Sequence, residues 1–212
     1  MPTWTLDNAV LLQQEFPYTF YRPSDEIIGR LEPGKATVKL IFRFDNNKPE
    51  EPAAERMWVM LDAVNEDGSY IGILDNDPFY IKDLVAGDRI IFRKENIIQY
   101  DTLDDLNVTD VNGENIEKFR AKSLVSNHIL KDGYRVGRLY REEPSDEEDT
   151  GWTLMSDHET EEYVDDHHNL QYVAIGKILN TDDSFLHLLD APVDSEFIRD
   201  EITGQFFAVE DE

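Results

Sequence analysis

Apolar and polar positions alternate from Thr37 to Phe44: Val38, Leu40, Phe42 and Phe44 fall on one side, Lys39 and Arg43 on the other. Side chains of an extended chain point alternately to opposite faces, so this is a half-buried strand. Met57–Val64 and Tyr70–Leu74 are two further apolar runs, joined by Asn65-Glu66-Asp67-Gly68-Ser69. Turn residues between β-rich runs predict a hairpin. Asp77-Pro78 breaks the second run, and Ala86-Gly87-Asp88 turns into a strand over Arg89–Phe92. Upstream, Leu6, Val10, Leu11 and Phe16 approach helical spacing, which predicts a short helix over Thr5–Phe16 with Thr5 or Asp7 as its cap and Pro17 as its stop. Lys48–Ala54, rich in Pro and Glu, is a loop.

Asp101–Glu114 is polar, acidic and contains Asn112-Gly113, and a domain boundary is placed there, giving domains over residues 1–112 and 113–212. Beyond it, Ser123–Leu130 and Val136–Tyr140 flank Lys131-Asp132-Gly133, a second hairpin signal. Gly151–Met155 is a strand, Val173–Leu179 and Phe185–Leu189 are short helices, and Gln205–Val209 is a last strand before an acidic tail. The fold class expected is α+β: two small domains, each mainly antiparallel sheet with a few short helices.

Charge changes this picture. The chain of 212 residues carries a formal net charge of −26, and 40% of its residues are hydrophobic, enough for a real core. Residues 1–112 hold 11 basic and 21 acidic side chains, and residues 113–212 hold 9 and 25. A nucleic-acid backbone or an anionic membrane calls for clustered Lys and Arg, so neither is expected as a partner. Between Glu142 and Asp166 there are 12 carboxylates and no Lys or Arg, interrupted by Trp152, Leu154, Met155 and Tyr163. Like charges packed so densely repel each other, and a soluble chain tolerates this where the charge serves solubility or a basic partner. There is no cysteine, which excludes disulfides, thiolate metal sites and Cys nucleophiles. The start, MPTWTLDNAVLLQQEF, lacks a basic region and a long apolar run, so no secretory signal is expected and a cytoplasmic location is.

Enzyme chemistry finds little footing. The chain lacks G-x-S-x-G, a phosphate-cradling Gly loop and H-E-x-x-H. Ser156, His158 and Glu159 supply triad residue types, but residues this close in sequence seldom converge as a triad. Asp165-Asp166-His167-His168 offers metal ligands, yet four consecutive side chains rarely meet at one ion, and no metal or other cofactor is expected. The loop Glu142–Asp149 lacks the Asp-x-Asp-x-Asp-Gly pattern of a calcium loop. Trp152 has two readings, a core residue or an anchor in a partner interface. Trp58, inside an apolar run, reads as core.

Two resemblances go further. Ser123-Leu124-Val125-Ser126, Val136-Gly137-Arg138-Leu139-Tyr140-Arg141-Glu142, Asp149-Thr150-Gly151-Trp152, Ser156-Asp157-His158-Glu159 with Tyr163, Asp165-Asp166, Asn169, and later Pro192, Ser195, Phe197 and Asp200 are spaced as in the Immunity protein 33 family, also called domain of unknown function 2185. The chain departs from that pattern at one turn, where the family often has Ser-Gly-Asp-Glu and this sequence has Ser156-Asp157-His158-Glu159. Glu55-Arg56-Met57-Trp58-Val59, Gly72-Ile73-Leu74-Asp75-Asn76-Asp77-Pro78 and Gly87-Asp88-Arg89-Ile90 resemble domain of unknown function 2314. The first resemblance implies a cognate inhibitor from a bacterial toxin system rather than an enzyme. On that reading the acidic segment steers and docks a basic toxin surface, with Glu147, Glu148, Asp149, Trp152, Glu161, Glu162 and Tyr163 as the contacts. The first domain is then a scaffold or a second binding module. The competing reading is a regulatory or small-ligand module whose charge serves solubility alone.

Overall fold

The computed structural model describes residues 2–45 and 50–209, and the chain divides into two compact units, Met1–Asn115 and Ile116–Glu212. The loop expected over Lys48–Ala54 lies partly outside the described residues, as does the acidic tail after Val209.

The first unit runs β1 (Trp4–Leu6), α1 (Ala9–Glu15), α2 (Asp25–Ile28), β2 (Ala36–Phe44), β3 (Ala54–Val64), β4 (Tyr70–Leu74), β5 (Arg89–Phe92) and β6 (Ile97–Thr102), and its chain leaves through α3 (Val111–Glu117). All strand pairs in its sheet are antiparallel. β2 is the centre. One of its edges is taken by β3; the other is shared by β1 along Phe42–Phe44 and by β6 along Ala36–Leu40. The expected alternation holds, since Val38, Leu40 and Phe42 are fully buried and pack with Met57, Val59, Leu61, Ile90 and Phe92. Each such side chain contributes about 1.5–3 kcal/mol by leaving water. The opposite face of β2 is covered in part by α1, through Ala9 and Leu12 against Ile41 and Ile98.

Two readings of this half need correction. Thr5 and Leu6 are strand, not helix, because their backbones pair with Arg43 and Phe42; the helix that follows is capped by Asn8, whose carboxamide oxygen accepts from the Val10 and Leu11 N–H groups. Trp58 is half-buried on the open face of the sheet, with the Lys39 ammonium 4.3 Å from its ring centre, and is not core. Asn112-Gly113, where the domain boundary is expected, lies inside α3. The segment before α3 is tied down: Asp110 accepts from the Tyr21 hydroxyl at 2.5 Å and the Ser24 N–H at 3.1 Å, and Asn112 donates to the Arg22 carbonyl at 3.0 Å.

The second unit runs β7 (Lys122–Ser126), α4 (Asn127–Leu130), β8 (Arg138–Arg141), β9 (Asp149–Met155), α5 (Glu161–Asp165), β10 (Leu170–Ala174), α6 (Ile175–Leu179), β11 (Glu196–Arg199) and β12 (Phe206–Ala208), with the order β10-β7-β9-β8-β11-β12 in one sheet. Antiparallel pairing dominates, and β7–β9 is the parallel exception. β7 and β8 therefore form no hairpin. Ser126 ends β7 by capping α4, and both strands pair with β9, from opposite sides. The second helix expected here, Phe185–Leu189, is reduced to a single 3₁₀ turn, Leu186–Leu188. Val125, Leu154, Leu139 and Phe197 lie in one register row, and the first three are fully buried. The row beside it, Tyr172, Leu124, Thr153, Tyr140 and Glu196, points to the other side of the sheet. Gly137 sits where a Cβ would overlap the Ser156 carbonyl, so the strand can start only on glycine.

The two units are expected to separate as domains. Limited proteolysis should cut near residues 115–118 and leave two folded fragments, or nick the loop before Asp149 within the second unit. A chain that resists at both places and melts in one cooperative step would instead be a single integrated domain.

Candidate partner-binding surface

β8 and β9 are joined by the loop 142–148, and its own carboxylates build it. Asp149 accepts from the Ser145 and Gly151 N–H groups, each at 2.9 Å, and Asp146 from the Glu148 N–H at 2.8 Å. Burial pushes the Asp149 carboxyl up, but these backbone donors outweigh it and hold it below the usual carboxylate range. Gly151 has a φ of +74°, and a Cβ there would overlap the Glu142 carbonyl oxygen. Only glycine suits both the left-handed backbone and the close approach.

After β9 the chain enters a buried polar cluster. The Glu159 side chain is 2% exposed. Its carboxylate accepts from the Ser156 N–H and Oγ, each at 2.9 Å, and from the His158 N–H at 3.2 Å. Burial raises this carboxyl, yet the Ser126 and Ser156 hydroxyls and the backbone donors hold it below its ordinary range. Asp157 between them takes a φ of +67°, a left-handed conformation uncommon outside glycine. His128 completes the cluster from 28 residues upstream, with Nδ1 3.2 Å from Ser156 Oγ and 3.4 Å from Glu159 Oε1. Its ring lies 4.3 Å from that of Tyr163 and 5.4 Å from that of Tyr134.

This is not a hydrolytic triad. A triad histidine uses its two ring nitrogens for two different partners, nucleophile and carboxylate. In the cluster one nitrogen faces both, and the Ser156 hydroxyl is already committed to Glu159. The histidine that sequence proximity offered, His158, contributes only its backbone N–H to the carboxylate. Nothing local in the sequence marks His128 as the third member.

The expected contact residues separate into distinct groups. Trp152 is 1% exposed, donates from Nε1 to the Leu189 carbonyl at 3.2 Å and lies beneath Arg141; of its two readings the core one holds, and it cannot serve as a surface anchor. Asp149 builds the loop, Glu148 is paired with Lys122 at 2.7 Å, and Tyr163 is half-buried against His128. Glu147, Glu161 and Glu162 are exposed. With Glu142, Glu143, Asp157 and Asp165, they carry no side-chain hydrogen bond or ion pair among the described residues.

Asp166, His167 and His168 do converge, contrary to expectation, with ligand atoms all within 4.8 Å of one another. The 3₁₀ turn His167–Asn169 brings them together, and Asp166 caps it by accepting from the His168 N–H at 3.0 Å. All three are exposed, whereas a structural zinc site encloses its ion with four ligands. The turn is held by the Asp166 cap and by the Asn127 bond to the His168 carbonyl, neither of which needs an ion, so a chelator should leave the melting temperature unchanged. A fall of many degrees with chelator, or stoichiometric transition metal in elemental analysis, would reverse this conclusion.

Glu159 is the residue on which the cluster depends. Glu159→Ala should cost about 3 kcal/mol in urea denaturation at neutral pH, because buried hydroxyl and N–H donors lose their acceptor. The folded carboxyl is depressed, so its stabilisation is complete above the unfolded value of about 4.3 and is lost as pH falls through the folded value. The gap between wild type and variant should therefore narrow in acid. Equal stability at neutral pH would show that the cluster is not a fastening point.

No helix among the described residues is long and apolar enough to cross a membrane. No curated protein and no solved structure matches the chain. Residues 123–210, which hold all the carboxylates of the surface just described, match the Immunity protein Imm33 domain. Residues 4–121, more than half of the chain, match a family described as uncharacterized protein conserved in bacteria (DUF2314). The chain thus belongs to the DUF2314 family of bacteria, with a segment similar to the Imm33 immunity domain following its DUF2314 region.

Proposed function

We propose that this protein is a non-enzymatic immunity protein that neutralises a cognate bacterial toxin by direct contact in the cytoplasm. The match of residues 123–210 to an immunity domain carries the reading. The exposed carboxylates without internal partners support its electrostatic form, because Glu147, Glu161 and Glu162 leave their charge available to a basic toxin surface. Nucleic acid and membrane lipid are not the partners of a chain at −26. Charges of this kind act mainly on association rate and specificity, through long-range attraction that salt screens beyond a Debye length of about 8 Å at physiological ionic strength.

Replacing Glu147, Glu148, Glu161 and Glu162 together by Gln removes four charges at nearly constant shape. With the toxin identified by pull-down and mass spectrometry, the variant should associate at least several-fold more slowly, and the wild-type on-rate should fall as salt rises. Folding should be unharmed or slightly improved, since self-repulsion declines. An unchanged rate with unchanged salt dependence would move the interface elsewhere and leave the charge as a solubility device.

A further inference from the structure

The side of the second unit's sheet that carries Tyr140 and Thr153 has a groove of about 380 Å³. Tyr140 of β8 and Met155 of β9 form its floor, and α5 forms its wall through Val164, Glu161 and Asp165. The pairings Arg138 with Met155 and Tyr140 with Thr153 place the two floor side chains on the same side of adjacent strands. Glu161 and Asp165 are four residues apart, so they stand on one face of their helix, one turn from each other. Both are exposed, and neither has a hydrogen-bond or ion-pair partner among the described residues. The cation in the lining, Arg138, is already held by Glu196 at 2.6 Å. Glu159, deeper in the lining, has its oxygens occupied by Ser156 and the His158 N–H. The groove thus combines an aromatic and apolar floor with two unneutralised carboxylates on one wall.

Resting on the immunity reading, we propose that this groove is the seat of an arginine side chain of the partner protein, its guanidinium bridging Glu161 and Asp165 over the Tyr140 ring and its stem lying along Met155 and Val164. Arginine fits better than lysine for three reasons. Its donors form a fork that two carboxylates can share. Its plane stacks on an aromatic ring. Its charge is more weakly hydrated and so more readily brought onto an apolar floor. The choice of occupant follows from charge complementarity, because the two wall carboxylates have no cation of their own.

The test needs no toxin. An amidated Gly-Arg-Gly tripeptide is titrated into the full-length protein while the Met155 methyl, Val164 methyl and Tyr140 ring resonances are followed by NMR. A tripeptide with citrulline in place of arginine keeps the shape and removes the charge. Saturable shifts at these three residues with the arginine peptide are expected, with at least a tenfold weaker response to citrulline. Glu161→Gln/Asp165→Asn should weaken binding at least tenfold, whereas Glu142→Gln/Glu143→Gln, the same loss of charge on the neighbouring loop, should leave it within twofold. Thermal melts of both variants check that they remain folded. If the two double variants weaken binding equally, or the shifts spread over the loop 142–148 without saturating at the groove, the groove is no arginine seat. That failure stands apart from the immunity reading, which the association-rate experiment decides.

Discussion

The buried carboxylate of Glu159 is the fastening on which the second unit's surface depends. Ser126 lies at the exit of β7, Ser156 at the exit of β9, and His128 on α4; one side chain gathers all three. The next residue, Thr160, caps α5 by accepting from the Tyr163 N–H. The position of α5, and of the carboxylates it displays, is therefore set by an ion held away from water. An ion so placed persists only when its lone pairs are filled with donors, and the serine hydroxyls and backbone N–H groups fill them.

The same economy recurs along the chain and changes the meaning of its acidity. Glu55 accepts from three successive N–H groups, those of Phe79, Tyr80 and Ile81. Asp200 holds the turn before β12 through the Ile202 and Thr203 N–H groups, and Asp182 binds both the Val136 N–H and Arg199. Many carboxylates thus serve as backbone anchors in loops that have little apolar surface to fix them. A count of acidic residues overstates the charge that is free to meet a partner.

Sequence pattern exposed the parts of this fold whose determinants are local. The alternation of Val38, Leu40 and Phe42, and the turn Asn65–Ser69 between two apolar runs, each encode their own structure. What pattern missed was specified at a distance. Thr5 and Leu6 are strand because β2 offers them an edge, and β7 pairs with β9 in parallel, which no turn motif announces. Asn112-Gly113 carries turn chemistry, yet it lies in a helix whose approach is strapped to Tyr21 and Ser24. At the surface the acidic residues were legible, but their roles were not. Glu147 and Asp149 look alike in sequence, and only the loop's hydrogen bonds distinguish a free charge from a structural one. His128 reached the cluster through the fold alone.

The shared edge of β2 has a consequence for handling the chain. β1 and β6 each cover part of that edge, one arriving from the first residues described and the other from the end of the sheet. A recombinant fragment that begins after Leu6, or stops before Ile97, uncovers a row of N–H and C=O groups in the middle of the sheet. A bare, flat edge of this kind is a template for strand addition by a second molecule. Truncation at either place trades a paired edge for self-association, so fragments for expression should retain both segments.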